Sequence, residues 1–119
     1  LSSEKLERWH IESLFALAKE ASPYECCGFI TESGVVIPIK NIESSLFLFR
    51  MDPKQQLEAM KYSPIWAVYH SHVNSVSKPS PTDKAMQRTD YDQIIVSLMS
   101  NDISLFDSEW HPLKGWWFS

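Results

Sequence analysis

At 119 residues the chain has room for one hydrophobic core and not for two. With 44% hydrophobic and 22% charged residues, and three glycines against seven prolines, the bulk reads as globular and not disordered. A net charge of −4 without any run of lysine or arginine lacks the electrostatic footprint of a nucleic-acid binder. The two cysteines, Cys26 and Cys27, are adjacent, which supports no disulfide framework and fits a reducing, cytoplasmic setting. No stretch approaches the roughly 18 apolar residues that span a bilayer. The opening LSSEKLERWHIESLF is charged and does not read as a signal peptide.

In chain order, Ser2 or Ser3 is expected to cap a helix reaching about Ala21, because Leu6, Trp9, Ile11, Leu14, Phe15, Leu17 and Ala18 fall mostly on one face. Glu4 and Glu7 suit its positive end, and Ser22-Pro23 stops it. CCGFIT and VVIPIK, separated by Glu32-Ser33-Gly34, predict a hairpin. Leu46 to Met51 reads as a further strand. Asp52-Pro53 then reads as cap and first turn of a helix through PKQQLEAMKY. IWAVYH is a dense apolar run of the kind found in buried strands. SHVNSVSKPSPT is loop, and Asp83 begins or precedes a short helix, DKAMQR. YDQIIVSLM and ISLFD are strands joined at Asn101-Asp102, and HPLKGWWFS ends as a strand or packs on the core. This succession predicts a single α+β domain over residues 1–119, with helices covering a central mixed sheet.

The chemistry concentrates in His70-Ser71-His72, followed by Ser80 and Asp83. Histidines at i and i+2 near the end of a strand point to the same side and can converge on one ion. A carboxylate from the first turn of the next helix supplies a third ligand. Two imidazoles and a carboxylate suit zinc, and three protein ligands leave a fourth place for water. Ser71, between the histidines, points the other way and is assigned a structural role.

With Glu25 upstream, the pattern E…H-S-H-x7-S-x2-D resembles the JAMM signature of the MPN metalloproteases in every element. The similarity extends to Pro23-Tyr24-Glu25-Cys26-Cys27-Gly28, to Asn41 and the segment after it, to Asp52-Pro53, and to IWAVYHSH and YDQIIVSL, or about residues 6–106. LFRMDPKQQLEAM and VYHSH…PSPTD look most like the Mec-type peptidases of the prokaryotic branch. The resemblance implies an MPN-like fold and a Zn²⁺ ion held by His70, His72 and Asp83. Glu25 would take a proton from the zinc-acidified water and return it to the leaving amine, and Ser80 would donate to the developing oxyanion. It also implies a substrate: a ubiquitin-like or sulfur-carrier protein whose extended C-terminal tail is cleaved at an isopeptide or α-peptide bond. Strand addition along the 41–51 strand and the 73–79 loop would hold that tail. Val73 replaces a proline that many relatives carry after the second histidine, which bears on loop entry and not on the ligands.

Three other readings share parts of this pattern. A phage tail-assembly protease domain would use the same site, and a non-catalytic MPN scaffold typically lacks some of the ligands. A closed structural zinc site would recruit Cys26, Cys27 or His10 and leave Glu25 and Ser80 without purpose. The cysteines are better read as buried, inert thiols. His10 and His111 have no partner in the sequence pattern, and Trp116-Trp117 belongs to the core or to a homodimer surface.

Overall fold

The computed structural model describes residues 6–87 and 89–117. Six strands form one mixed sheet in the order β2-β1-β3-β4-β5-β6. The elements run α1 (Arg8–Ala21), β1 (Cys27–Thr31), β2 (Val36–Ile39), α2 (Pro53–Tyr62), β3 (Ile65–His72), α3 (Pro81–Met86), β4 (Asp92–Ser97), β5 (Asp102–Phe106) and β6 (Pro112–Trp117). All neighbouring strands pair antiparallel except β3 and β4, which are parallel. The radius of gyration, 12.8 Å, is that of one compact body of this length. The fold is thus the α+β, MPN-like architecture the sequence predicts. None of the described helices is long and apolar enough to cross a membrane.

Helix α1 starts at Arg8 with Glu7 as its N-cap; the predicted caps Ser2 and Ser3 lie outside the described residues. His10 has a partner at each ring nitrogen. Its Nδ1 accepts from the Glu7 N–H at 2.9 Å, which leaves Nε2–H to donate to the Gly34 carbonyl at 2.9 Å. The start of α1 is thereby tied to the β1–β2 turn, where Gly34 takes φ 95°. Leu14, Phe15 and Ala18 pack on Ile30, Tyr69, Ile94, Val96, Ile103 and Leu105, a face of the sheet that is apolar apart from the buried Tyr69 hydroxyl. Helix α2 begins as expected, with the Asp52 carboxylate accepting from the Lys54 N–H at 3.2 Å and Pro53 in the first turn. Its Ala59 joins Phe29, Ile39, Ile65 and Val68 in a smaller cluster on the opposite face.

The strand predicted over 46–51 does not form. Only Met51 bridges to Asn41, and the rest of 42–50 is loop. The Asn41 side chain supplies the reason: its Oδ1 accepts from Glu43 N–H at 2.9 Å and Arg50 N–H at 3.0 Å, taking donors that a strand ladder would need. Strand β3 is buried at every position because it lies inside the sheet with both faces covered.

Candidate metal centre

The site is built where β3 ends. In the register of β1 against β3, Cys27 pairs with His70. One step on, Ser71 clamps Cys26: its Oγ accepts from the Cys26 N–H at 2.8 Å and its N–H donates to the Cys26 carbonyl at 3.1 Å. Ser71 therefore points away from the histidines and fixes register, as its place in the strand predicts. Glu25, just before β1, lies close enough to His72 and Asp83 to feel the charge of both. The second carboxylate arrives from α3, which is capped by Ser80: Ser80 Oγ accepts from the Asp83 N–H at 3.0 Å, while the Ser80 N–H donates to Asp83 Oδ2 at 2.9 Å. The expected helix start moves upstream to Pro81, and Asp83 occupies its first turn.

Three atoms converge as a result. His72 Nε2 lies 2.9 Å from Asp83 Oδ2, His70 Nε2 lies 3.3 Å from the same oxygen, and the two Nε2 atoms are 3.2 Å apart. His70, His72, Asp83 and Glu25 are each at most 4% exposed. The backbone orients one ring: His72 Nδ1–H donates to the Val76 carbonyl at 2.8 Å, so in the neutral ring Nε2 turns a lone pair toward the cluster. Phe49 stacks on His70 with centroids 4.6 Å apart, and Trp110 meets it edge-on at 6.5 Å.

The electrostatics agree with that geometry. Burial holds His70 below the usual imidazole range, favouring the neutral, lone-pair form. Burial works against charge on His72 as well, but hydrogen bonds with Asp83 and Val76 outweigh it and favour its protonation. Asp83 also resists burial, yet its bonds with both histidines hold it far below the carboxylate range. Three lone-pair atoms this close repel one another unless positive charge stands among them. A proton meets that need in part, and a cation meets it fully. The donor set is thus compatible with a metal ion. Glu25 differs: burial lifts its carboxyl to about 7 against a smaller opposing pull from His72, and its Oε1 is buried without a hydrogen-bond partner.

The remaining candidates separate. Both cysteines are free and buried, with thiols pushed up to about 11 and about 12, and neither joins the ligand group among the described residues. His10 is engaged on α1, and His111, expected to be alone, sits 3.0 Å from Asp107. The 73–79 loop does reach the site through Val76, but 41–51 contributes as a loop. Phe49 and the Val76 carbonyl carry no chemistry by residue type, so the sequence pattern does not point to them. Asn41 left a signal in the family resemblance; its amide donates to the Glu25 carbonyl at 2.8 Å.

The sequence model for prokaryotic homologs of the JAB domain matches residues 7–110. The chain belongs to this family. It is also similar to the Tail tip assembly protein K of Escherichia phage N15, at 29% identity over 79 residues, which covers 63% of this chain and 32% of the phage protein. The chain therefore spans about a third of the length of that relative.

Proposed function

We propose that this JAB-family chain is a zinc-dependent peptidase domain in which His70, His72 and Asp83 hold the metal and Glu25 transfers the proton. The observation that carries this reading is the convergence of three donor atoms, 2.9 to 3.3 Å apart, beside a buried carboxyl with a free oxygen. Tetrahedral zinc with bonds near 2.0–2.1 Å places its ligand atoms about 3.3 Å apart, which supports zinc over larger, oxygen-seeking cations. Bound zinc supplies Lewis acidity, polarising a carbonyl and bringing the pKa of water toward about 7.

The chain's own groups supply the rest. Glu25, held near neutrality by burial, accepts a proton at Oε1 and returns it to the leaving amine. Ser80 accepts from Asp83 N–H through Oγ and so keeps its hydroxyl proton for an oxyanion on the scissile carbonyl. Val76 holds the ring of His72, and Phe49 shields His70 from water.

The substrate is a polypeptide tail. The resemblance to Mec-type peptidases favours the C-terminus of a ubiquitin-like or sulfur-carrier protein in the cytoplasm. A second reading, a peptidase of phage tail assembly, draws support from the similarity to the Tail tip assembly protein K. The test is metal content and cleavage by wild type, His72→Ala and Glu25→Gln, on a C-terminally extended sulfur carrier and on phage tail-tip proteins. One zinc per chain, retained but inactive in Glu25→Gln and lost in His72→Ala, is the expected result. A wild type that takes up no metal when supplied with zinc would sink the reading in favour of a scaffold. Cleavage of one substrate and not the other decides the setting.

A further inference from the structure

A cleft of about 610 Å³ opens beside the metal centre, and the mechanism above leaves it unused. Trp110 joins the two: its ring lines the cleft and meets His70 edge-on at 6.5 Å. Lys78, two residues before Ser80, and Lys84, next to Asp83, stand on the wall formed by the 73–79 loop and α3. Phe106 and Leu113 supply apolar surface opposite. Among the described residues no carboxylate lines the cleft, although acids outnumber bases in the chain as a whole. Neither lysine forms an ion pair among the described residues. Two unpaired cations in one apolar-walled recess form a local excess of positive charge, which selects an anionic occupant.

Trp110 is held there against its backbone preference. Its φ is 68°, a left-handed conformation that a bulky side chain rarely adopts. The turn around it is knotted by Asp107. The Trp110 N–H donates to the Asp107 carbonyl at 3.0 Å, and Asp107 Oδ1 accepts from the N–H groups of Glu109 and His111, both at 2.9 Å. Strain of this kind persists where neighbouring structure over-determines it, and it clusters at functional sites. Here it presents an aromatic wall to the cleft and to a ligand ring at once.

We propose that the cleft is a specificity subsite for an acidic segment of the polypeptide substrate. Lys78 and Lys84 take carboxylates next to the scissile bond, while Trp110, Phe106 and Leu113 pack the aliphatic stems. This rests on the peptidase reading, because it is the reaction that brings a chain to this face. The carboxylates come either from glutamate or aspartate side chains or from a free C-terminus.

The test uses zinc-loaded Glu25→Gln protein, so that binding is read without turnover. Its probe is the blocked peptide acetyl-Gly-Glu-Gly-Glu-Gly-amide, followed through the indole N–H resonance of Trp110, which is assigned by its loss in Trp110→Phe. The Glu peptide is expected to shift that resonance and to bind about 5- to 10-fold more tightly than its Gln counterpart, a margin that shrinks in high salt. Adding Lys78→Ala and Lys84→Ala should abolish the margin with zinc content unchanged, and the arginine pair at the same positions should restore it. A Gln peptide with a free C-terminus identifies the α-carboxylate as the source if it binds as well as the Glu peptide. Equal binding of Glu and blocked Gln peptides, or an unmoved Trp110 resonance, overturns the proposal. The two readings fail separately. Preference for acidic peptides in a protein that cleaves nothing defeats the peptidase reading and keeps the subsite, whereas cleavage indifferent to acidic residues does the reverse.

Discussion

The two faces of the sheet are built to different rules. Toward α1, the strands present Ile30, Tyr69, Ile94, Val96, Ile103 and Leu105, packed by Leu14, Phe15 and Ala18. Toward the other side, the same strands bury His70, His72, Gln93 and Ser97, joined by Glu25 and Asp83 from outside the ladder. One face gains stability from apolar burial. The other concentrates buried polar groups: Glu25 Oε1, His70 Nδ1 and Gln93 Oε1 are all buried and unsatisfied there, whereas toward α1 the Tyr69 hydroxyl is in that state. An orphaned buried polar atom costs about 1–3 kcal/mol, so the site face draws on the stability of the α1 face. Structural security and chemistry are therefore separated by the thickness of a single strand, β3.

Four experiments test that separation. Glu25→Gln should lower turnover by about 10²–10⁴-fold while the folded protein stays at least as stable, as parallel assays and thermal melts would show. Leu14→Ala should do the opposite: a loss of about 2–5 kcal/mol in denaturant unfolding, with zinc stoichiometry of the folded fraction unchanged. Loss of zinc at folded Leu14→Ala would mean the faces are coupled.

The third test is pH. Burial raises Glu25 in the folded, metal-free protein to about 7, above its value in the unfolded chain. Its contribution is then fully present below about 4.5 and lost as pH rises to about 7, a decline of about 3 kcal/mol. Glu25→Gln should flatten that part of the curve, and a difference between wild type and mutant that grows in favour of wild type as pH rises over the window would contradict the burial argument. A cation at the centre favours the ionised carboxylate, so zinc should shift this loss of stability to lower pH in the loaded protein. The smallest effect belongs to Asp52→Ala, which removes the α2 cap for about 1 kcal/mol. It should leave zinc affinity intact, since α2 supplies no ligand.

Much of this architecture was legible in the sequence because its signals are local. The hairpin, the Asp52-Pro53 helix start and the buried run IWAVYH each announce themselves within a few residues. The convergence of His70, His72 and Asp83 followed from a strand period of two and a helix turn, while the roles of Glu25 and Ser80 came only from the family pattern. What stayed hidden depends on side chains reaching across the fold. Asn41 converts an apolar, strand-like segment into a loop, and that loop delivers Phe49 to His70. His10 reads as one more polar residue on an amphipathic helix until Gly34 is beside it. The division between faces was hidden as well, because a strand buried on both sides shows no alternation.

The parallel pairing of β3 and β4 has a consequence in time. Parallel neighbours need a long crossover, and here it is residues 73–91, the stretch that carries Ser80 and Asp83. An unfolded chain offers an ion only the adjacent pair His70 and His72; Asp83 waits for the crossover to close, and Glu25 for a partner strand some 45 residues away in sequence. A metal at this centre thus rewards a topology already complete instead of seeding it. Zinc should slow unfolding in proportion to its affinity and leave the refolding rate almost unchanged, so the ion acts as a latch on the finished fold.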